Sequence, residues 1–455
     1  MPRAKKEQKI PVKKVKKTIK TTLKTPQLLR GFKDILPTEQ KYWDFVRKTA
    51  ESFANGYGFS MIEPPILEEA NLFVRSIGKG TDIVEKEMFS FTDQGQGTVV
   101  MRPEATASIV RAYINHGMIN LPQPVKLYYW GQMFRRERPQ SGRQRQFHQL
   151  GFEILGNDNP VIDAQIIAIM NNFYRQLGLD QISIQINSIG CPECRKNYIQ
   201  ELVTYYRSKR KLICEDCKKR LTKNPLRLLD CKNQSCEFVK NEAPQIIDWL
   251  DDECKDHFMK VVNYLDELNI SYKLNPYLVR GLDYYTRTVF EIWPNEKEEG
   301  AQSALAAGGR YDGLVELLGG RPTPAVGVAV GIERTISQLR KNEVKVIDEN
   351  KPEIFLAQIG DQAKIKTLQL FEKMRQEKIN VVENFAKDSL KSQLELANKL
   401  KVKYALILGQ KEVIDGTILI RDMESGVQEV IDFNKTVQEL KKKLANNSAD
   451  NQTID

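Results

Sequence analysis

Residues 125–155 read VKLYYWGQMFRRERPQSGRQRQFHQLGFEIL, two strand-like runs flanking a loop dense in arginine and glutamine. The pattern predicts a hairpin. Successive side chains on a strand alternate between faces, so the second run sends His148, Leu150, Phe152 and Ile154 one way and Phe147, Gln149, Gly151 and Glu153 the other. The first set is a core face. The second places an aromatic, an amide, a glycine and a carboxylate in one row, where a sheet covered on both faces would carry aliphatics. Polar groups on such a face need partners, and Gly151 leaves room for a small polar ligand between Gln149 and Glu153.

The first run carries Gly131, Met133 and Arg135 on one face, and Arg136, Glu137, Arg138, Arg143 and Arg145 lie between the runs. So many guanidinium groups point to phosphate, whose oxygens they bind bidentately. Phe147 offers a flat face on which a purine stacks. A solvated, salt-bridged hairpin tip would account for the charges alone. It does not account for the ordered row of Gln149 and Glu153.

A chain of 455 residues is long enough for about two to four domains and an ample core, and 41% hydrophobic with 28% charged residues is the composition of a soluble globular protein. No apolar run is long enough to span a membrane. The net charge of +10 is unevenly placed. Residues 1–25 hold ten Lys/Arg against the single acid Glu7, which leaves the rest of the chain with 59 basic and 58 acidic residues. Such a tail is expected to be disordered, either adding salt-sensitive affinity for RNA or serving as a solubilising extension. It lacks the apolar stretch of a secretory signal and matches an organellar transit peptide poorly, so a cytoplasmic protein is expected. Its seven cysteines, all between Cys191 and Cys254, are accordingly read as reduced thiols.

FRRE, followed by GRQRQF and HQLGFE, resembles the second signature motif of class II aminoacyl-tRNA synthetases in the form used by the histidyl-tRNA synthetase family. The remaining chain extends the resemblance. A helix from Pro37-Thr38 to about Gly56–Gly58, then a strand ending at Pro64-Pro65, is similar to class II motif 1, which in the family lies at a dimer interface. In TVVMRPEATASIVRAYI, 98–114, a strand runs into a helix with Arg102, Glu104 and Thr106 at the junction. Glu104 there can cap backbone N–H groups or receive the ammonium group of an amino acid. The RPE-x-T string matches the family's histidine-binding loop and favours the second role.

LVRGLDYYTRTVFEI, 278–292, is strand-like on both sides of a glycine and matches a signature peculiar to the family. LAAGGRYDGL, 305–314, resembles a second such signature, with Gly308-Gly309 permitting either a tight turn or close backbone approach to a ligand. AVGVAVGIERTISQL, 325–339, is similar to class II motif 3, a buried strand and helix that presents its arginine to ATP. A charge on so apolar a stretch is costly unless paired, which makes Arg334 a ligand-binding candidate.

Residues 190–270 read as a mostly helical insertion with Cys191-Pro-Glu-Cys194, Cys214-Glu-Asp-Cys217 and Cys231 through Cys236. Two CxxC pairs fit zinc-ribbon spacing. The third pair leaves the ligand set ambiguous, and LICEDCKKRLTKNPLRLLDCK resembles the insertion of bacterial family members that are not generally zinc-dependent. Reduced, partly buried thiols are therefore the expectation, with structural zinc the less favoured alternative. Beyond a linker near Asp348–Pro352, strands and helices alternate: strands at 353–359, 379–383 and 403–409, helices at 361–376 and 389–401, a hairpin around Glu424-Ser425-Gly426 and a helix at 434–444. The strings FAKDSLKSQLELANKLKVKYALILG and DGTILIRDMESG resemble the family's anticodon-binding domain.

The expected fold is α+β: a class II catalytic domain with an antiparallel sheet flanked by helices, a helical insertion, and a C-terminal α/β anticodon-binding domain. The expected divisions are a tail at 1–25, catalytic segments at 26–189 and 271–347 around the insertion at 190–270, the anticodon-binding domain at 352–444, and a disordered end at 445–455. The resemblance implies a histidine–tRNA ligase that uses ATP and Mg²⁺, acts on L-histidine and tRNA(His), and forms a homodimer. Residue by residue, it implies Arg280 and Arg135 as the catalytic pair. Arg135, Glu137, Arg143, Phe147, Arg280 and Arg334 would bind ATP, and Glu104, Thr106, Gln149, Glu153, Tyr285 and Tyr311 would bind histidine. Gln140 and Arg145 would meet the acceptor end of tRNA, as would the insertion. Glu153 and Tyr285 would bracket the imidazole, one accepting its N–H and the other serving the second nitrogen. Two rivals differ in activity: the synthetase-like regulatory subunit of ATP phosphoribosyltransferase, which senses and does not activate, and a class II synthetase for another small amino acid. The intact arginine set and the anticodon-like domain argue against the first, and the family-specific signatures against the second.

Overall fold

The computed structural model describes residues 25–95, 97–140, 142–295, 304–348 and 351–450, so the expected basic tail lies almost wholly outside the described residues. Two compact units result, the first ending at Val344 and the second beginning at Lys345. In the first, the chain lays down β1 (Ser60–Met61), β2 (Leu67–Glu69), β3 (Phe89–Thr92) and β4 (Thr98–Met101), then the predicted hairpin as β5 (Val125–Phe134) and β6 (Gln146–Leu155). There follow β7 (Ile182–Ser188), β8 (Tyr272–Leu274), β9 (Thr286–Pro294), β10 (Ala306–Arg310) and β11 (Ala325–Gly331). One sheet takes eight of these in the order β1-β5-β6-β11-β10-β9-β7-β8. Every pairing from β5 across to β7 is antiparallel, and only the outermost strands β1 and β8 run parallel to their neighbours.

The alternation read from the hairpin decides what covers each face. Leu150, Phe152 and Ile154 enter a fully buried cluster with Val326, Val328 and Val330 of β11. Four helices close over that side: Pro37–Gly56, Pro160–Gln176, Asp252–Glu267 and Ile332–Lys341. Pro37–Gly56 starts at a proline in its first turn and buries Trp43, Val46, Ala50 and Ala54 at helical spacing. Pro160–Gln176 is capped by Asn159, whose side chain accepts from the Val161 N–H at 3.1 Å. The opposite face of the sheet is largely free of this helix layer and faces the insertion.

One buried ion pair ties the two layers together. Arg310, at the end of β10, has no exposed side-chain surface and pairs with Asp163 on the 160–176 helix, which is equally buried. The same guanidinium donates to Asp312 at 3.1 Å and to the Asn157 carbonyl at 3.0 Å, while Asp163 also meets His257 of the 252–267 helix at 2.8 Å. Burial works against the Asp163 charge, but Arg310 and His257 overcome it and hold the carboxyl below its ordinary range.

The structure departs from the sequence expectation at three places. Residues 278–285 are loop, not strand, and β9 begins only at Thr286. The Asn187 amide donates to the Pro276 and Leu278 carbonyls, taking the place of a neighbouring strand. At Gly308 and Gly309, expected to make a tight turn or a close backbone approach to a ligand, the close approach is instead to neighbouring strands. Both lie in β10, where a Cβ on Gly308 would press into the Gly327 carbonyl and the Phe290 ring. The last helix, Thr436–Asp450, continues past the expected end at 444.

The insertion contains helices Pro192–Ser208, Glu215–Lys223 and Gln234–Asn241 and leads into Asp252–Glu267. Its cysteines are all free, and the fold resolves the ambiguous ligand set by sorting them into two groups. Cys214, Cys217, Cys231 and Cys236 form one; Cys191, Cys194 and Cys254 gather with Asp251 in the other.

The second unit is a five-stranded sheet built from β12 (Ile354–Gln358), β13 (Val381–Glu383), β14 (Tyr404–Leu408), β15 (Thr417–Asp422) and β16 (Gln428–Asp432), ordered β13-β12-β14-β15-β16. The first three strands are parallel, joined by helices Asp361–Gln376 and Leu390–Leu400, and the last two add antiparallel pairs. Buried Gln393 extends this order by accepting from the Gln358 N–H and donating to its carbonyl, as a strand backbone would. Among the described residues no helix is long and apolar enough to cross a membrane.

Removing one member of a buried ion pair leaves the other charge unpaired, at a cost of about 3–5 kcal/mol. Arg310→Met should therefore lower the urea midpoint of the first unit markedly, and adding Asp163→Leu should restore part of the loss. A midpoint unmoved by Arg310→Met would show that the two layers do not depend on this pair.

Candidate active site

The sheet face opposite the helix layer floors a cleft of about 370 Å³. Its floor is nearly bare of side chains because Gly327, Ala329 and Gly331 of β11 point the same way between core-facing valines. A Cβ on Gly327 would collide with the Glu153 carboxylate directly across the β6–β11 pairing. Of the residues singled out from the sequence, Glu104, Thr106, Gln149, Glu153, Tyr285 and Tyr311 line one part of this cleft. Arg135, Glu137, Arg143, Phe147, Arg280 and Arg334 line it too. Gln140 and Arg145 do not. Gln140 forms an isolated bridge to Arg143, and Arg145 packs its stem on Gly31 and donates to the Glu137 carbonyl at 3.2 Å.

The space left by Gly151 is not open. Tyr129, opposite it across the hairpin, lays its ring over the glycine so closely that a Cβ would overlap the ring. The sequence contained this signal, because Tyr129 shares the period-two face of Gly131 and Met133. Its hydroxyl is buried without a hydrogen-bond partner. So are Gln149 Oε1 and Arg280 Nε, both on the same cleft wall. Unpaired buried polar groups are rare and costly, and three around one cavity are groups awaiting a polar ligand.

Glu153 is wholly buried between two donors, Thr106 Oγ1 at 2.7 Å and Tyr311 Oη at 2.5 Å. Burial, opposed by those hydroxyls and reinforced by nearby Glu104, pushes its pKa up to about 8. Tyr285, expected at the other nitrogen of an imidazole, is on the same cleft wall, and Tyr311 donates to Glu153. Glu104 shows the capping role that the sequence reading set aside: its carboxylate accepts from the backbone N–H groups of Thr106 at 2.7 Å and Ala107 at 3.0 Å, at the start of helix Thr106–Asn115. Burial raises its pKa against those two amides.

The arginines form a row held from behind. Arg135 donates to the Pro103 carbonyl at 2.9 Å and lies 5.3 Å from the centre of the Phe147 ring. Arg143 pairs with Glu137 at 3.0 Å. Arg334 donates to the carbonyls of Gly142 at 3.1 Å and Ala304 at 3.0 Å. Its neighbour Glu333 accepts from the backbone N–H of His148 at 3.0 Å and meets its ring nitrogen at 2.8 Å. Burial, with the nearby charges of Arg143 and Arg135, lowers the Arg334 pKa. Mutually repelling guanidinium groups facing one cavity are complementary to a polyanion.

Arg280 is held by Glu291 on β9, which also accepts from the Trp293 indole at 3.1 Å. Burial opposes the Arg280 charge, while Tyr285 and Glu291 favour it enough to raise its pKa. Glu291 was missed in the sequence, although a lone carboxylate between Phe290 and Ile292 marks it. Arg227, Asp230 and Lys232 of the insertion also reach the cleft, and nothing in the local sequence announces it.

The Histidyl-tRNA synthetase family model matches residues 31–335, and the Anticodon binding domain model matches 337–443. A histidine–tRNA ligase of Dehalococcoides mccartyi is 45% identical over 415 residues, covering 91% of this chain and 99% of its own. Another, of Pelotomaculum thermopropionicum, is 44% identical over 415 residues, covering 91% and 97%. The crystal structure of apo S. aureus histidyl-tRNA synthetase superposes with a TM-score of 0.77 at 34% identity, covering 91% of this chain and 99% of that one.

Two outcomes follow from the geometry. The folded protein retains a proton on Glu153 that the unfolded chain releases above the ordinary value of 4.5, so wild-type stability should fall as pH rises from there to about 8. Glu153→Gln should lack this loss, its denaturation midpoint gaining on wild type between pH 5 and 8; a constant difference would mean that Glu153 is ionised in the fold. Gly327→Ala should weaken histidine binding measured by calorimetry while preserving the circular dichroism spectrum, and unchanged affinity would detach Glu153 from the ligand.

Proposed function

The chain belongs to the histidyl-tRNA synthetase family, whose reaction is the ATP-driven attachment of histidine to tRNA, and we propose that the cleft on the β5–β6–β11–β10–β9 face carries its first step. There the carboxylate of histidine attacks the α-phosphorus of ATP and pyrophosphate leaves. The nucleophile is ionised at neutral pH, so no strong general base is needed. Rate comes from holding the reactants in line and stabilising charge on the phosphorus oxygens. Mg²⁺ enters with ATP and neutralises its phosphates.

The observation that carries this assignment is the joining of two unlike halves in one cavity. The arginine row suits a triphosphate, and the buried pair Glu104 and Glu153, with the unpartnered Gln149, Tyr129 and Arg280 atoms, suits a small zwitterion. Arg135 binds the α-phosphate, and Arg143 and Arg334 bind the outer ones. Phe147, one face of which meets Arg135, stacks adenine on the other, and Glu137 helps place the nucleotide. Arg280, oriented by Glu291, contacts both the attacking carboxylate and the α-phosphate. Glu104 takes the ammonium group on oxygens already aligned by its capping bonds, and Gln149 meets the carboxylate. Glu153 accepts an imidazole N–H, with Thr106 and Tyr311 holding the carboxylate and Tyr285 serving the other nitrogen. A site that satisfies both nitrogens rejects isosteres strongly, since a wrong ligand leaves buried groups unpaired.

In the second step the histidyl group passes to the terminal ribose of tRNA(His), with Gln140, Arg145 and the insertion meeting the acceptor end and the second unit meeting the anticodon. A homodimer is supported by exposed Leu36, Met61, Ile66 and Leu67, which leave an apolar strip around the motif 1 segment. The free thiols suit a reducing cytoplasm.

Histidine-dependent ATP–pyrophosphate exchange tests the assignment. Exchange with histidine alone among the amino acids is expected; exchange with another would move the substrate within the class, and none from folded protein with Mg²⁺ would favour a regulatory role. Arg280→Ala should slow exchange about a hundredfold or more without unfolding the protein. Near-normal exchange would remove Arg280 from its role.

A further inference from the structure

Four cysteines from three separate pieces of the insertion meet at one point. Cys214 precedes helix Glu215–Lys223 and Cys217 lies in its first turn, Cys231 follows the turn Pro225–Leu228, and Cys236 sits in helix Gln234–Asn241. Their sulfur atoms all lie within 4.8 Å of one another. Cys214 Sγ is 3.8 Å from Cys231 Sγ, and Cys217 Sγ is 3.9 Å from Cys236 Sγ. A disulfide requires about 2.0 Å. Sulfur ligands about 2.3 Å from a tetrahedral zinc are about 3.8 Å apart, which these two pairs match.

The surroundings suit thiolate ligands. The backbone N–H of Cys214 points at Cys236 Sγ at 3.2 Å, and that of Asn233 at Cys231 Sγ at 3.5 Å, the outer bonds that stabilise charged sulfur. Leu221, Leu228, Leu229 and Val239 belong to the same buried cluster and keep water away. The second group is accounted for without a metal. There Asp251 accepts from the Cys191 and Cys194 thiols at 3.2 and 3.1 Å, and its other oxygen caps the Cys254 N–H at 2.7 Å.

We propose that Cys214, Cys217, Cys231 and Cys236 hold one structural zinc ion, which fixes the insertion loop that walls the active-site cleft. That loop runs between the second and third ligands. It carries Arg227, which lies against Gly281 and pairs with Asp230 at 3.4 Å, and Asn224, which donates to Asp283 at 2.8 Å. Both contacts fall on the segment that holds Arg280. A closed four-sulfur site leaves no position for substrate, so the ion acts by holding the fold. The inference is independent of the substrate assigned to the cleft.

The test is metal analysis of the full-length protein purified under reducing conditions. About one zinc per chain is expected, reduced severalfold by Cys231→Ser and unchanged by Cys191→Ser. Should Cys231→Ser fail to fold, cobalt substitution of the wild-type protein gives a second measurement: intense thiolate-to-cobalt charge-transfer absorption of a tetrahedral site, abolished by competing zinc. A chelator should also lower the melting temperature, and zinc should restore it. The proposal is overturned by protein that carries no zinc and takes up no cobalt, by iron in place of zinc, or by metal lost with Cys191→Ser but retained with Cys231→Ser.

Discussion

The Arg310–Asp163 pair is the constraint on which the first unit turns. Both side chains are cut off from water, where a charge without a partner is ruinous. Each is therefore obliged to stay where the other is. The end of β10, the turn after β6, and helices Pro160–Gln176 and Asp252–Glu267 are locked in one arrangement as a result. The pairing of β10 with β9 shifts register between Gly309 and Arg310. While Arg310 is engaged with the helix layer, its neighbour Tyr311 reaches the cleft and donates to Glu153. Anchor and binding residue are set by one local irregularity.

The cleft itself is made as much by missing side chains as by those present. Gly327 makes space for the Glu153 carboxylate, Gly151 for the Tyr129 ring, and Gly131 for the Arg102 guanidinium. Into that space the sheet brings groups that are uncomfortable alone: two buried carboxyl groups with raised pKa values, and Arg334, whose pKa is lowered by burial and by the nearby charges of Arg143 and Arg135. Such strain is expected where a charged ligand completes the electrostatics. Rigid strands supply the row of Gln149 and Glu153, while the loop ends of the hairpin and the 278–285 segment supply Arg135, Arg143 and Arg280.

Residues that act through others are distributed differently. Glu291 holds Arg280, the Gly142 and Ala304 carbonyls hold Arg334, and Glu137 holds Arg143. Each guanidinium thus meets the cleft already oriented, as preorganised charge-stabilising groups are. The insertion adds Arg227, Asp230 and Lys232 to the wall and brings its own cysteine-lined core.

The sequence by itself determined which face of the hairpin is core and which is chemistry, because period-two alternation is a local property that survives any packing. It also determined the helix start at Pro37, and motif strings that led to twelve cleft-lining residues. Only the tertiary structure decided the partners. Whether Glu104 caps a helix, which hydroxyls bond Glu153, and whether a tyrosine fills the gap over Gly151 depend on atoms brought together from distant segments. The same holds for the loop conformation of 278–285, where the Asn187 side chain replaces a strand partner, and for the sorting of seven cysteines into two groups. Spacing along the chain specifies which side chains leave the backbone together; where they meet, and in what dielectric, is fixed only when the layers close.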